Sequence, residues 1–446
     1  MGIGGSGIAG VALLAKKMGY RVSGCDYSAE SPYLPSLNNS GIKIDIGHSP
    51  SHLKGADILA ISPAVLSLNR NHPEVVAARK KGILLTWQQF MGRYLQKNKF
   101  VIAVAGTHGK STTTAMLGLL LEDAGLDPSV EVGAIVPQWK ASTRFGASKY
   151  FVCEADEFNL NFLNFTPSII ILNNIEMDHP EYFSDYIEFK NAFNRFIAKL
   201  TGPRILIANQ DSPGVKESMA PSGYIGYSLK TASCQYKAKI IASSSKRTVF
   251  EVKSGSCLRR FNLPVPGVHN VANALGVIAC ADQLNIDDRI IFKSLDSFRG
   301  INRRFEFIGQ VGKVKIFDDY AHHPTAVKAT ISAARARFPR SRLWLILEPH
   351  QYSRLRLFMS DFARVLKFAD KVIVIPVFAG REKDVGGAGS ADLVRLVGSK
   401  STYQPDFDQV VRQVKQQSAD GDIIIVCGAG RSYLLSRQIL SGLKQT

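Results

Sequence analysis

Nine consecutive residues, Gly106-Thr107-His108-Gly109-Lys110-Ser111-Thr112-Thr113-Thr114, carry the most specific chemistry in this chain. They join an apolar run, Val101–Ala105, to a helix-patterned run, Ala115–Ala124. A glycine loop between a strand and a helix is built to hold phosphate. Glycines let the backbone approach anionic oxygens, and free N–H groups at the helix start, with the helix dipole, attract them. Lys110 adds a positive charge for the outer phosphates, and the Ser111 hydroxyl stands where such loops hold Mg²⁺. The longer form of the motif has an earlier glycine, at the position of Val104 here, so only Gly-x-x-Gly-Lys-Ser is present. The alternative is a glycine-rich turn without a ligand. With strand, loop and helix in register, the reading is ATP with Mg²⁺, bound by Gly106, Thr107, His108, Gly109, Lys110, Ser111 and Thr112.

Carboxylates follow the next two apolar runs. Lys149–Cys153 ends in Glu154-Ala155-Asp156-Glu157, and Ser168–Leu172 ends in Asn173-Asn174 with Asp178-His179 soon after. Carboxylates at the ends of neighbouring parallel strands lie where open α/β sheets bind ligands. Mg²⁺ prefers oxygen, so Ser111 and Glu154 suit it, with His179 an unusual partner. Taken alone, the same residues also fit a solvated acidic turn. A second glycine motif, Gly2-x-Gly4-x-x-Gly7, with Asp26 about 20 positions on, is of the dinucleotide type. On its own it suits a nicotinamide dehydrogenase equally well. It also requires a strand in front, and only Met1 precedes it. The expectation is either an upstream strand or a sheet lacking its first member.

The elements that position these residues alternate strand and helix. In the first segment they are a helix over Ile8–Met18, strands over Tyr20–Cys25, Ile42–Ile46 and Asp57–Ile61, a helix over Pro73–Lys81 and a strand over Ile83–Thr86. This is the pattern of a parallel sheet covered on both faces. The second segment adds a strand over Gly202–Ala208, short antiparallel strands over 223–263, and a helix over Asn270–Leu284. The third has strands over Lys313–Phe317, Leu343–Leu347, Lys371–Ile375 and Asp422–Cys427, with helices over Thr325–Arg337 and Asp361–Phe368. The fold class is therefore α/β with three domains. Residues 1–97 are Rossmann-like, 98–304 form a P-loop ATPase-type mixed sheet, and 305–446 are again Rossmann-like.

At 446 residues the chain is long enough for several domains. Its net charge of +18 admits nucleic acid, a membrane surface or phosphorylated small molecules as partners. The basic residues are spread widely, with no aromatic-basic signature, so neither nucleic acid nor membrane is expected. No apolar run reaches the roughly 18–20 residues of a membrane span. No signal peptide pattern opens the chain, and the cytoplasm is the expected compartment. Six scattered cysteines without a Cys-x-x-Cys pair argue against a disulfide framework and against zinc.

Taken together, Lys110, Glu154 and His179 resemble the Mur ligase family in order and spacing. The resemblance covers essentially the whole chain. It continues through Pro266–Asn273, Asn302-Arg303-Arg304-Phe305-Glu306, Asp318–Thr325 and Glu348-Pro349-His350-Gln351-Tyr352-Ser353-Arg354. The resemblance implies a ligase that uses ATP to join an amino acid to the carboxylate of UDP-N-acetylmuramate. Two branches compete. The alanine-adding branch is matched by His350–Arg354, Gly380-Arg381-Glu382 and Gly428-Ala429-Gly430, though Gln351 stands where many members have arginine. The tripeptide-recycling branch is matched by Asn173–His179 and Ala321–Ala326. The third segment handles the amino acid in this family, which favours L-alanine.

The resemblance also implies roles. Gly4, Gly5, Gly7, Asp26 and Ser62 bind the UDP-sugar. Asn270 and Asn273 read adenine, Arg304 reaches the phosphates, and Asp319 binds ribose or orients the γ-phosphate. Ser111 and Glu154 hold one Mg²⁺, and Glu154 with His179 a second. Tyr320, His322 and His350 line the amino-acid pocket, with Arg354 as the carboxylate clamp. Lys110, Glu154, His179, His322 and Arg354 form the catalytic set. A monomer or weak dimer is expected.

Overall fold

Every residue from Val101 to Ala105 is apolar and buried, a pattern that fits only a strand covered on both faces. In the computed structural model this run lies within a ten-stranded sheet. The structure describes residues 1–445 apart from 219–222, 232, 245, 246, 381 and 385. Arg381 of the Gly380-Arg381-Glu382 loop therefore lies outside the described residues. The sheet order is Cys257–Leu263, Thr248–Ser254, Tyr236–Ser243, Ile225–Ser228, Ile205–Asn209, Ile169–Leu172, Phe100–Ala105, Tyr150–Ala155, Ser129–Val136, Ala141–Arg144. Pairing is parallel from Tyr236–Ser243 through Ser129–Val136 and antiparallel at both ends. The expectation of antiparallel strands over 223–263 is corrected at Ile225–Ser228, which is parallel to both neighbours.

Alternation splits the central strand between two cores. Ile102 and Val104 join Met116, Leu120 and Val271 on one face. Val101, Ala103 and Ala105 join Phe151, Phe189 and Phe193 on the other. Val11, Leu14 and Ala15 of helix Ser6–Lys17 belong to this second core, so apolar packing crosses residue 97. Ala105 is in register with both Ala155 and Leu172. Gly106, Asp156 and Asn173 therefore leave the sheet side by side at its carboxyl edge, where such sheets bind ligands.

The first segment holds two parallel pairs, Ser23–Asp26 with Lys43–Ile46 and Leu59–Ile61 with Leu84–Thr86. Met1–Ile3 lies between them. Gly2 and Ile3 donate to the Cys25 carbonyl (2.8 and 3.1 Å), and Ser62 N–H donates to the Met1 carbonyl (3.0 Å). The Met1 amino group donates to Ala60 O (2.9 Å). Backbone ahead of the glycine loop thus bridges both pairs without forming a named strand. The third segment is a six-stranded sheet in the order Glu306–Val311, Val314–Asp319, Ile423–Cys427, Leu343–Leu347, Lys371–Val374, Ser401–Tyr403. It is parallel except for its first edge strand. Helix Pro324–Arg337 covers one face, and Phe407–Gln417 with Ser432–Lys444 the other. Among the described residues no helix is long and apolar enough to cross a membrane, and all six cysteines are free.

Candidate active site

A cleft of about 1310 Å³ opens between the three segments, lined from each of them by residues such as Gly7, Ser62, Lys110, Glu154, His322 and Arg354. A large concavity at a domain junction, with convergent polar groups, is the usual place for a ligand.

The phosphate loop forms one wall. Gly109 takes φ +83° and is the N-cap of helix Lys110–Asp123, which has no side-chain cap. The first N–H groups of that helix are therefore free for an anion. A Cβ at Gly109 would lie 2.5 Å from Asn273 Oδ1 and 3.0 Å from Asn173 Nδ2. Gly109→Ala is expected to cost about 1–3 kcal/mol in backbone strain alone, and to weaken ATP-analogue binding tenfold or more. Calorimetric titration beside a thermal melt checks this. Gly106 does not line the cleft; its carbonyl accepts from Lys110 Nζ (2.7 Å). Lys110 also donates to Glu157 Oε2 at 2.7 Å. Burial alone would lower the Lys110 pKa, but Glu157 and then Asp156 outweigh it, and the ammonium is held charged. Asn174 Oδ1 accepts from His108 N–H (2.8 Å), and Asn173 Nδ2 donates to Thr113 Oγ1 (3.0 Å). Glu157, Asn173 and Asn174 thus shape the loop, although the sequence reading assigned them no role.

Glu154 accepts hydrogen bonds from Gly133 N–H and Ser111. Burial raises its pKa, with Gly133, Ser111 and Lys110 opposing. Glu131, 2% exposed, faces the same group and is pushed well up by burial and then by the Glu154 charge. A buried and a half-buried carboxylate beside a serine hydroxyl make an oxygen-rich set that fits Mg²⁺. His179 is grouped differently from the expectation. Its ring nitrogen and the carboxylates of Asp156 and Glu157 lie within 4.8 Å of one another. The pairing of Glu154 with His179 is therefore replaced, in this conformation, by Asp156 and Glu157 with His179. The strands explain it: Glu154 is still paired to the sheet, while Asp156 and Glu157 turn off its edge toward the 173–179 loop.

The opposite wall comes from the third segment. Arg354 is 1% exposed. Its Nε donates to Asp178 Oδ1 (2.8 Å), and Nη1 donates to His350 Nδ1 (2.6 Å) and Gln351 Oε1 (2.7 Å). Nη2 is buried without a partner. A clamp using two free guanidinium N–H groups is therefore not what this geometry offers. One nitrogen is open and the others are committed, chiefly across the domain junction to Asp178. Burial raises the Asp178 pKa, but His179 and then Arg354 overturn this and hold the carboxylate well below its usual range. His179 and Gln351, flanking this pair, take φ +56° and +65°, which are strained values for side-chain-bearing residues. His322 Nδ1 lies 2.8 Å from the Tyr320 carbonyl. A carbonyl only accepts, so Nδ1 carries the proton and Nε2 the lone pair. Burial, then Arg354, hold His322 well below the usual histidine range, and burial lowers His350 to about 3.

The other expected residues divide. Gly5, Gly7 and Ser62 line the cleft; Gly4 and Asp26 do not. Asp26 Oδ2 accepts from Gly4 N–H (2.8 Å) and Oδ1 from Ser28 N–H (3.3 Å), so this carboxylate closes its own loop. Asn270 and Asn273 line the cleft, with Asn270 donating to Pro266 O (2.6 Å). The Arg304 guanidinium stacks over Tyr320 at 5.0 Å and makes no hydrogen bond or ion pair among the described residues, while its backbone N–H donates to Ile301 O. Arg303, by contrast, is taken up by Asp318, Gly428 O and Ser432. Asp319 is satisfied by Ala321 N–H, Phe305 N–H and Thr330 Oγ1. Asp319 thereby shapes the junction while still lining the cleft. Gly428-Ala429-Gly430 is likewise closed, with Glu348 Oε2 accepting from Gly430 and Ser432 N–H (3.0 and 3.1 Å).

The chain matches three family models along its length: "Mur ligase family, catalytic domain" over 1–99, "Mur ligase middle domain" over 104–281 and "Mur ligase, glutamate ligase domain" over 303–430. A UDP-N-acetylmuramate–L-alanine ligase of Acetivibrio thermocellus is 36% identical, covering 99% of this chain and 94% of that protein. A UDP-N-acetylmuramate–alanine ligase structure from Thermotoga maritima superposes with a TM-score of 0.84 at 25% identity, over 100% of this chain and 98% of that one. A murein peptide ligase from Psychrobacter arcticus gives 0.73 at 25% identity, over the same shares of each chain. On these matches along its whole length, the chain belongs to the Mur ligase family.

Proposed function

We propose that this enzyme joins L-alanine to the carboxylate of UDP-N-acetylmuramate using ATP, in peptidoglycan precursor synthesis. One observation carries the reading: the Lys110 loop, the Ser111–Glu154 pair and the Arg354–His322 cluster meet in one cleft. The relatives named for this reaction, and the higher structural similarity to the alanine ligase than to the murein peptide ligase, support alanine as the amine.

A carboxylate resists attack by an amine because its oxygen is a poor leaving group. Transfer of the γ-phosphoryl of ATP to that oxygen gives an acyl phosphate and ADP. The amine then attacks the acyl carbon, and phosphate leaves with the electron pair of the broken C–O bond. The first step is mainly positioning and charge neutralisation. Lys110 and the free N–H groups of its helix hold the β- and γ-phosphates, and Arg304 approaches from the junction. Ser111 and Glu154 are the oxygen ligands for Mg²⁺, with Asp156, Glu157 and His179 beside a second position; when bound, Mg²⁺ neutralises phosphate charge. Asn270 and Asn273 face the base, and Gly5, Gly7 and Ser62 face the UDP-sugar.

For the second step, Arg354 Nη2 offers its open donor to the alanine carboxylate. His322 Nε2, a neutral acceptor, can take a hydrogen bond from the amino group and so orient it for attack. Asp178 and Arg354 keep the middle and third segments closed, which excludes water from the acyl phosphate. ATP and a nucleotide-linked sugar are both cytoplasmic reactants, and the reaction belongs in that compartment. The test is phosphate release from ATP with UDP-N-acetylmuramate and each of L-alanine, glycine, L-serine and the tripeptide. Release is expected with L-alanine at the lowest concentration. Release with the tripeptide alone would overturn the assignment.

A further inference from the structure

Away from the cleft, four polar side chains from separate pieces of the first segment converge. Cys25 ends strand Ser23–Asp26, His48 follows strand Lys43–Ile46, His52 lies on the short helix Pro50–Leu53, and Glu74 opens helix Pro73–Lys80. Cys25 Sγ lies 3.1 Å from His48 Nδ1 and 3.6 and 3.7 Å from the two Glu74 oxygens. Glu74 oxygens are 3.9 Å from His48 Nδ1 and 3.6 Å from His52 Nδ1. A tetrahedral zinc with bonds of roughly 2.0–2.3 Å places its ligand atoms about 3.3–3.7 Å apart. The observed separations bracket that range.

The charge argument points the same way. Glu74 is fully buried, yet its neighbours here are a thiol, two imidazoles and the Ser49 N–H (3.0 Å). The Met1 amino group is close enough to feel Cys25 and Glu74 but donates to Ala60 O. A buried carboxylate without a bonded cation is costly. Zn²⁺ with a thiolate and a carboxylate is neutral. His52 Nδ1, 3.6 Å from Glu74, is buried without a hydrogen-bond partner.

We propose that Cys25, His48 and Glu74 form a structural Zn²⁺ site that ties together the loops around Asp26, with His52 beside Glu74 as an outer partner. On binding, the Cys25 S–H releases its proton to solvent and a Zn–S bond forms. Thiolate and imidazole favour zinc or cobalt over magnesium. The absence of Cys-x-x-Cys is no obstacle, because the three ligands come from separate elements that only the fold brings together.

The test uses the full-length enzyme, stripped by chelator and then loaded with Zn²⁺ or Co²⁺ under excess Mg²⁺ and ADP, which saturate the cleft. One zinc per chain and a thiolate-to-cobalt charge-transfer band are expected, and Cys25→Ser loses both. His52→Ala should weaken zinc roughly tenfold, the cost of losing an outer-shell partner. The wild-type cobalt spectrum keeps the test decisive if Cys25→Ser does not fold. A folded wild type without the thiolate band, or a band that survives in folded Cys25→Ser, would overturn the proposal.

Discussion

Lys110→Ala lowers ligation turnover by about 10³-fold, the scale of losing one preorganised charge at a reacting phosphoryl group. It also does something a surface lysine would not. Glu157 is fully buried and bonded to Lys110 at 2.7 Å. Removing the ammonium alone leaves that carboxylate uncompensated, at a cost of about 3–5 kcal/mol. Loss of activity in the single variant would therefore mix chemistry with unfolding. Lys110→Met combined with Glu157→Gln separates them, because both charges leave together. Its melting temperature is expected close to wild type while turnover stays about 10³-fold down. The check is a thermal melt beside steady-state kinetics of each variant. If the double variant recovered both stability and turnover, Lys110 would be a structural cation only.

Arg354→Ala has the second-largest effect, and it divides between two substrates. Truncating one partner of a buried charge pair costs about 2–5 kcal/mol, or roughly 30- to 5,000-fold. Arg354 leaves Nη2 unpartnered and meets the middle segment through Asp178. The loss should appear mainly in kcat/KM for alanine, with a smaller rise in the KM for ATP as domain closure weakens. Arg354→Lys keeps the charge but loses the fork that bonds Asp178, His350 and Gln351 at once. It is expected to recover little. Steady-state kinetics with each substrate varied in turn measures the split. An alanine dependence that is unchanged in Arg354→Ala would remove this residue from the amino-acid pocket.

What could be read in advance followed burial and local spacing. Phe100–Ala105 and Leu343–Leu347 are strands where the apolar runs predict them, because both lie inside a sheet covered on two faces. The phosphate loop is legible because its glycines, lysine and helix are contiguous. The hairpin Ser129–Val136 with Ala141–Arg144 was not. Glu131 and Gly133 interrupt its apolar pattern, and they do so because they face Glu154. Helix Ser432–Lys444 carries Leu435, Ile439 and Leu443 at helical spacing, a signal that the strand-centred reading leaves unused. Spacing marks both Glu154 and Glu157 but cannot say which one meets Lys110. That depends on a turn that sends Glu157 back toward the loop while Glu154 stays on the strand. Asp26 stands where a ligand is expected and instead closes its own loop off the cleft. The bond from Arg354 to Asp178 joins residues far apart in sequence, and only the packed domains bring them together.

The central claim is that ATP activates the sugar carboxylate. The direct measurement is mass analysis of the phosphate released when UDP-N-acetylmuramate carries heavy oxygen in its lactyl carboxylate and L-alanine is supplied. Each turnover through an acyl phosphate moves one carboxylate oxygen into the phosphate, so label is expected there. Phosphate free of that label, with label retained in full in the product, would contradict the account.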